Sequence, residues 1–340
     1  MEVIKTDHLT KYYGKARGIV DLSLSVEEGE FFGFIGPNGA GKSTTIRLLM
    51  GLMRATSGSA SIYGMNIGDN KKKILENTGY IPSEAMFYPG TTVSEILKLS
   101  AGLRHMDCSA EARRLCERLQ LDPGKKTDEL SLGNRKKTAI VCALQHRPGL
   151  YIFDEPTSGL DPLIQKEFFE ILQERNAEGA TIFLSSHILS EVQRWCSRAA
   201  VIREGRLAAC GHITELAGTR AKRISVVCPD MHELREALQR ILPPDSGSPV
   251  KDSPSVHGSS PNQDKNPLRG KAPVQGRNPI RDKNPLRDFR SGGNTASFLW
   301  QGDIKELLDG LSQVPYTDIT VTEPDLSEIF MHFYEQEGSL

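Results

Sequence analysis

What the chain lacks narrows its class before any motif is read. Nowhere in its 340 residues is there a run of about 18 consecutive apolar residues, so it is not expected to cross a bilayer by itself. The opening Met1-Glu2-Val3-Ile4-Lys5-Thr6 has no cationic segment leading into a long apolar run; it does not read as a secretory signal, and a cytosolic protein is expected. Neither sign of charge dominates. The 42 Lys and Arg against 43 Asp and Glu leave a net charge of −1, which argues against holding a polyanion by net positive charge, so no nucleic acid partner is expected. The six cysteines (Cys108, Cys116, Cys142, Cys196, Cys210 and Cys228) form no Cys-x-x-Cys pair, which disfavours zinc knuckles and redox motifs. They read as reduced thiols, mostly packing groups.

What is present is an α/β pattern followed by a change of style. At about 150 residues per domain, 340 residues suggest two domains. Residues 1–218 alternate short apolar runs with helical periodicity, the pattern of helices layered on a largely parallel sheet. Strands are expected at Phe31 to Ile35, Leu150 to Phe153, Thr181 to Leu184 and Ala199 to Ile202. Open α/β sheets bind ligands at the carboxyl ends of their strands, so the chemistry is expected there.

Residues 219–340 read as a small α+β domain, with strands at Ile224 to Cys228, Ala296 to Trp300 and Asp318 to Thr322, and helices at Met231 to Leu242, Ile304 to Leu311 and Leu326 to Tyr334. A proline-rich insertion at 243–294 interrupts it. Nine of the 19 prolines (Pro243, Pro244, Pro249, Pro254, Pro261, Pro267, Pro273, Pro279 and Pro285) fall there, with too few apolar side chains to offset the entropy of ordering, so disorder is expected. Asn-Pro-Leu/Ile-Arg recurs in it at Asn266 to Arg269, Asn278 to Arg281 and Asn284 to Arg287. That repeat reads as a drifting low-complexity insertion, or else as a linear motif for an acidic partner or anionic lipid.

Gly36-Pro37-Asn38-Gly39-Ala40-Gly41-Lys42-Ser43-Thr44 fits G-x-x-x-x-G-K-[ST] and stands between an apolar strand and a helical run. Its glycines let successive backbone N–H groups face one phosphate chain, and the helix N-terminus adds partial positive charge there. Lys42 then meets the β/γ phosphates and Ser43 binds Mg²⁺; the competing reading is a glycine-rich turn without nucleotide. Leu150-Tyr151-Ile152-Phe153 runs into Asp154 and Glu155. Adjacent strand positions face opposite ways. Asp154 therefore suits the Mg²⁺ shell and Glu155 suits polarising an attacking water. Alone, such a pair could equally open a helix.

With these residues in view, the sequence resembles the nucleotide-binding subunits of ABC transporters across nearly all of residues 1 to 215. Leu130-Ser131-Leu132-Gly133-Asn134 is similar to the family signature L-S-G-G-Q, Ser158-Gly159-Leu160-Asp161 to its D-loop, and His187 after Ser185-Ser186 to its switch histidine. Tyr13 stands where the family stacks an aromatic ring on adenine. On residue type alone, Ser131 and Gly133 would be a helix cap and His187 a core histidine. Leu132 and Asn134 depart from the signature but leave Ser131 and Gly133 able to bind phosphate. In Gly79-Tyr80-Ile81-Pro82-Ser83-Glu84, Ser83 replaces the family's magnesium-reaching glutamine; a serine there acts through water or not at all, so altered coupling is expected.

The resemblance implies a P-loop NTPase cassette with a parallel sheet core, an antiparallel β subdomain and a helical subdomain. It implies ATP and Mg²⁺ as ligands, hydrolysis by Glu155 with His187, and Tyr13, residues 36–44, Ser131, Gly133 and Asp161 on the nucleotide. A second copy closing head-to-tail is also implied, as is a separately encoded membrane subunit docked near residues 80 to 105, on the inner face of the cell membrane. Glu323-Pro324-Asp325-Leu326-Ser327-Glu328-Ile329-Phe330 is similar to the tail of bacterial drug, bacteriocin and polymer exporters. Two alternatives are a regulatory ATP-binding module with weak hydrolysis and a soluble ABC-type ATPase acting on ribosomes or DNA.

Overall fold

The computed structural model describes residues 1–216, 222–242 and 285–322. The chain divides into two compact units, Met1–Leu216 and Ala217–Leu340. The first opens with two long antiparallel strands, β1 (Glu2–Tyr13) and β2 (Ala16–Glu27). Leu9, Leu22, Leu24 and Val26 are buried between more exposed neighbours, as in a sheet covered on one face. In β3 (Phe31–Ile35) all five residues are buried, the mark of a central strand covered on both faces.

After β3 come α1 (Lys42–Leu49), β4 (Ser57–Ile62), β5 (Met65–Asn66), α2 (Lys71–Glu76) and β6 (Thr78–Ile81). A helical stretch follows: α3 (Val93–Gly102), α4 (Ser109–Arg118) and α5 (Leu132–Leu144). Thr92 and Glu95 form a reciprocal capping box that starts α3, a contribution of about 1 kcal/mol. The unit continues with β7 (Leu150–Asp154), α6 (Pro162–Ala177), β8 (Thr181–Ser186), α7 (Leu189–Trp195), β9 (Arg198–Arg203), β10 (Arg206–His212) and α8 (Ile213–Leu216).

These strands make two sheets, one ordered β2-β1-β4-β5 and one ordered β10-β9-β3-β8-β7-β6. The first is antiparallel; in the second only β10 runs against its neighbour. Ile46, Leu48 and Leu49 of α1 share one buried cluster with Ile4 and Leu22 of the first sheet and Phe34 and Ile152 of the second. Side chains of that size contribute about 1.5–3 kcal/mol each when fully buried.

Register decides where the chemistry falls. Ile35 lies beside Ser186, Asp154 beside Ser185 and Ile81 beside Phe153. The residues that follow, Gly36, His187, Glu155 and Pro82, therefore leave the same edge of one parallel sheet.

The second unit consists of β11 (Lys222–Val227), α9 (Met231–Ile241), β12 (Leu286–Gly292), β13 (Thr295–Trp300), α10 (Ile304–Leu311) and β14 (Asp318–Thr322). Its sheet is antiparallel with order β12-β13-β11-β14, a βαββαβ arrangement of ferredoxin-like type. Ile224, Val226, Leu234, Leu238, Phe298, Trp300 and Leu307 form its core.

β12 corrects the expected disorder of 243–294, because residues 286–292 are a strand with Leu286 and Phe289 buried and Phe289 stacked on Phe298 at 6.1 Å. A register shift between Arg287 and Arg290, with Asp288 at φ 47°, lets residues three apart face one core. That spacing breaks the two-residue alternation by which a strand is recognised. The rest of the insertion, two of the three Asn-Pro repeats, the exporter-like 323–330 segment and the helix expected at Leu326 to Tyr334 lie outside the described residues. Among the described residues no helix is long and apolar enough to cross a membrane.

Candidate functional site

The loop from Gly36 to Gly41 joins β3 to α1, and its shape depends on missing side chains. Gly41 sits at φ 111°, a conformation that L side chains rarely adopt. A Cβ on Gly36 would lie 2.4 Å from the Ile202 carbonyl oxygen, and one on Gly41 would lie 2.7 Å from Ile19 Cγ2. The loop is thus pressed against β9 and β2. Gly41 is also the N-cap of α1, and no side chain caps that helix. The N–H groups of its first turn are left for an anion, where the helix dipole favours negative charge. Tyr13, Arg17, Gly18, residues 37–39 and 41–44, and Glu155 line one cleft of about 160 Å³.

Lys42 is buried, and its ammonium donates to the carbonyl oxygens of Gly36 at 2.7 Å and Pro37 at 3.2 Å. It also forms an ion pair with Glu155 Oε1 at 3.2 Å, while Glu155 Oε2 lies 3.2 Å from His187 Nδ1. Phosphate-loop lysine, acid and histidine therefore meet at the carboxyl edge of β3, β7 and β8. Glu155 adopts φ 50°, a left-handed conformation that costs a non-glycine residue on the order of 1–3 kcal/mol. Its N–H donates to the Ser185 carbonyl at 3.2 Å and the Ser185 hydroxyl at 3.3 Å. Asp154 is almost fully buried and accepts from the Ser185 hydroxyl at 2.8 Å. Tyr80, on the neighbouring strand β6, has its pKa pushed up to about 12 by burial and by the Asp154 charge, so it stays protonated.

Of the remaining expected residues, Tyr13 lines the cleft and the others do not. Tyr13 ends β1 half-exposed, with its hydroxyl 3.3 Å from Thr44 Oγ1. Ser131 is the N-cap of α5, accepting from Asn134 N at 3.3 Å, and Asp161 is the N-cap of α6, accepting from Ile164 N at 3.0 Å. Gly133 approaches the D-loop closely, since a Cβ there would be 2.9 Å from Gly159 O. Ser131, Gly133 and Asp161 are not among the residues lining the Lys42 cleft of their own chain, and neither are Gly36, Ala40, Ser83, Asp154 and His187. Ser83 follows β6 half-buried, and its main-chain carbonyl accepts from Lys136 at 2.8 Å.

Sequence reasoning missed four contributors. Arg17 lines the cleft, and Gly18 permits it: a Cβ there would meet Tyr13 Cε2 at 3.0 Å and Thr44 Cγ2 at 3.1 Å. Ser185 orients Asp154, and Lys136 reaches the Glu155 carbonyl at 3.2 Å. Only Ser185, beside the histidine of its own strand end, carried a signal in the sequence.

A glycine loop on an uncapped helix, with two acids leaving β7 at the same edge of the sheet, defines a P-loop nucleotide-binding cassette. Residues 19–158 match the family described as ABC transporter. The chain is 41% identical over 212 residues to the bacitracin transport ATP-binding protein BcrA of Bacillus licheniformis, spanning 60% of this chain and 68% of that protein. It is 35% identical to the linearmycin resistance ATP-binding protein LnrL of Bacillus subtilis, over 63% of this chain and 70% of that one. A solved ATP-binding subunit of an ABC transporter superposes with a TM-score of 0.60 and 34% identity, covering 64% of this chain and 92% of its own. A bacterial ABC transporter cassette solved as a dimer gives 0.57 at 25% identity, over 62% and 98%. The chain belongs to the ABC transporter ATP-binding family, whose members hydrolyse ATP.

Proposed function

We propose that this chain binds and hydrolyses ATP to power a separately encoded membrane subunit that exports a drug or peptide, acting as a head-to-tail dimer on the inner face of the membrane. The observation that carries the reading is the convergence of Lys42, Glu155 and His187 within 3.2 Å contacts at one strand edge. The relatives named for bacitracin transport and linearmycin resistance support the export step. The dimeric cassette supports pairing. Ser131, Gly133 and Asp161, away from their own chain's cleft, are then the residues offered to the second copy's nucleotide, and the face near residues 80 to 105 is offered to the membrane subunit.

The residues fit the ligands. The uncapped start of α1 and the glycine loop suit a phosphate chain, and buried Asp154 with Ser43 of α1 suits a hard cation. Bound there, Mg²⁺ would neutralise the β/γ charge. Lys42 exchanges its carbonyl partners for phosphate oxygens, and Tyr13 offers a ring to the base. Glu155 accepts the proton of the attacking water, while His187 holds the other carboxylate oxygen in place.

Glu155→Gln tests the reading. ATP binding is expected to persist, while hydrolysis falls about 10²- to 10⁴-fold, the contribution of a general base. Equilibrium binding and single-turnover hydrolysis separate the two, and a variant that hydrolyses at the wild-type rate removes Glu155 from this role.

A further inference from the structure

Lys136 lies inside α5, between Arg135 and Lys137, where a basic run reads as a solvated helix face, yet it is only 3% exposed. Its ammonium donates to three main-chain carbonyls: Ser83 at 2.8 Å, Glu155 at 3.2 Å and Pro82 at 3.3 Å. Three donors meet three acceptors, so the group is fully satisfied. Those acceptors come from the loop that leaves β6 and the turn that leaves β7, two strands paired through Ile81 and Phe153. The donor comes from the helix capped by Ser131.

Burial pushes the Lys136 pKa below the usual lysine value, and the charges of Asp154, Glu155 and Glu84 act against that shift. The ammonium sits where acidic groups and carbonyl dipoles surround it. A shift of the 82–84 loop would either carry the Glu155 turn with it or leave buried carbonyls unpaired.

We infer that Lys136 is a positioning residue that makes the Pro82–Ser83 loop and the Glu155 turn move as one body with the start of α5. This rests on the reading of Glu155 as the base. The carbonyls that Lys136 holds belong to Pro82, Ser83 and Glu155 and not to residues 36–44, so its removal should disturb the acid and not nucleotide capture.

The test uses the full chain with Lys136→Met, which keeps the unbranched apolar stem and removes every side-chain donor, and Lys136→Arg, which keeps charge and donors. ATP affinity, kcat, KM and backbone hydrogen exchange are measured for each. For Lys136→Met, kcat should fall about 10- to 100-fold, the cost of misplacing a catalytic group by about 1 Å, with ATP affinity and KM within about threefold. Exchange in peptides covering 82–90 and 155–158 should rise together, while that of 36–44 stays unchanged. Lys136→Arg should keep at least about a third of the wild-type rate, since charge and donors remain. The inference is overturned if Lys136→Met keeps kcat within twofold or loses ATP affinity as much as rate. It is equally overturned if only one of the two loops gains exchange, or if Arg fails as badly as Met. Wild-type hydrolysis by Glu155→Gln would instead sink the base assignment, leaving the paired exchange response to stand or fall alone.

Discussion

Ser185→Ala removes one buried hydroxyl and tests whether it holds the acid that ends β7. Ser185 is fully buried; its hydroxyl donates to Asp154 Oδ1 at 2.8 Å and accepts from Glu155 N at 3.3 Å. The second contact is cheap to lose, because Glu155 N also donates to the Ser185 carbonyl at 3.2 Å. The first is not cheap. A hydrogen bond to a charged group contributes about 1.5–3 kcal/mol, and the carboxylate left behind stays buried. In a unit of this size each kcal/mol moves the midpoint by about 2–4 °C, so Tm should fall by about 3–12 °C. Thermal unfolding followed by circular dichroism reads the shift, and ATPase assays should show a lower rate as the Asp154 carboxylate loses its fixed orientation. In an Asp154→Ala background the Ser185→Ala loss should nearly vanish, since its partner is already gone. A Tm within about 1 °C of wild type, or an undiminished loss in that background, would refute the reasoning.

Two further outcomes follow from the site and the second unit. Lys42→Ala and Ser131→Arg chains, each inactive alone, should regain activity when mixed, because a heterodimer contains one site with an intact phosphate loop and an intact signature; heterodimers without activity would exclude the head-to-tail arrangement. The proline-rich composition of 246–282 predicts that deleting these residues and bridging with a short Gly/Ser link leaves Tm nearly unchanged, since each halving of a flexible loop changes closure entropy by only about 0.6 kcal/mol. Deleting 246–290 removes Leu286 and Phe289 from the second core and should cost about 2–5 kcal/mol for each. Equal melting temperatures for the two deletions would contradict the placement of β12.

The parts legible in the sequence are those whose physics is contiguous along the chain. Gly36 to Thr44 needs backbone N–H groups in series, so its residues are adjacent by necessity, and the strand before it is marked by Phe31 to Ile35, all buried. Ile304 to Leu311 was expected as a helix and is α10 with those bounds, because Leu307 and Leu311 keep the four-residue spacing of a buried face. α5 starts at Leu132, directly after Ser131, which caps it as its residue type suggests. β12 was illegible because a bulge replaced alternation. Arg17 and Lys136 were illegible for a different reason: Arg17 shares its cleft with residues 37–39 and 41–44, and Lys136 meets the segments that follow β6 and β7, all on other elements of the chain.

That difference bears on Ser83. Its substitution for glutamine reads as a loss because a serine hydroxyl cannot reach as far, a statement about the side chain alone. The atom that Lys136 holds is the Ser83 carbonyl, which every residue type provides. The loop after β6 can therefore remain tied to the Glu155 turn whatever side chain stands at position 83, as long as position 136 retains a long donor. Communication between this loop and the acid then depends on Lys136 more than on Ser83. Ser83→Gln alone should leave hydrogen exchange in 155–158 unchanged, in contrast to Lys136→Met.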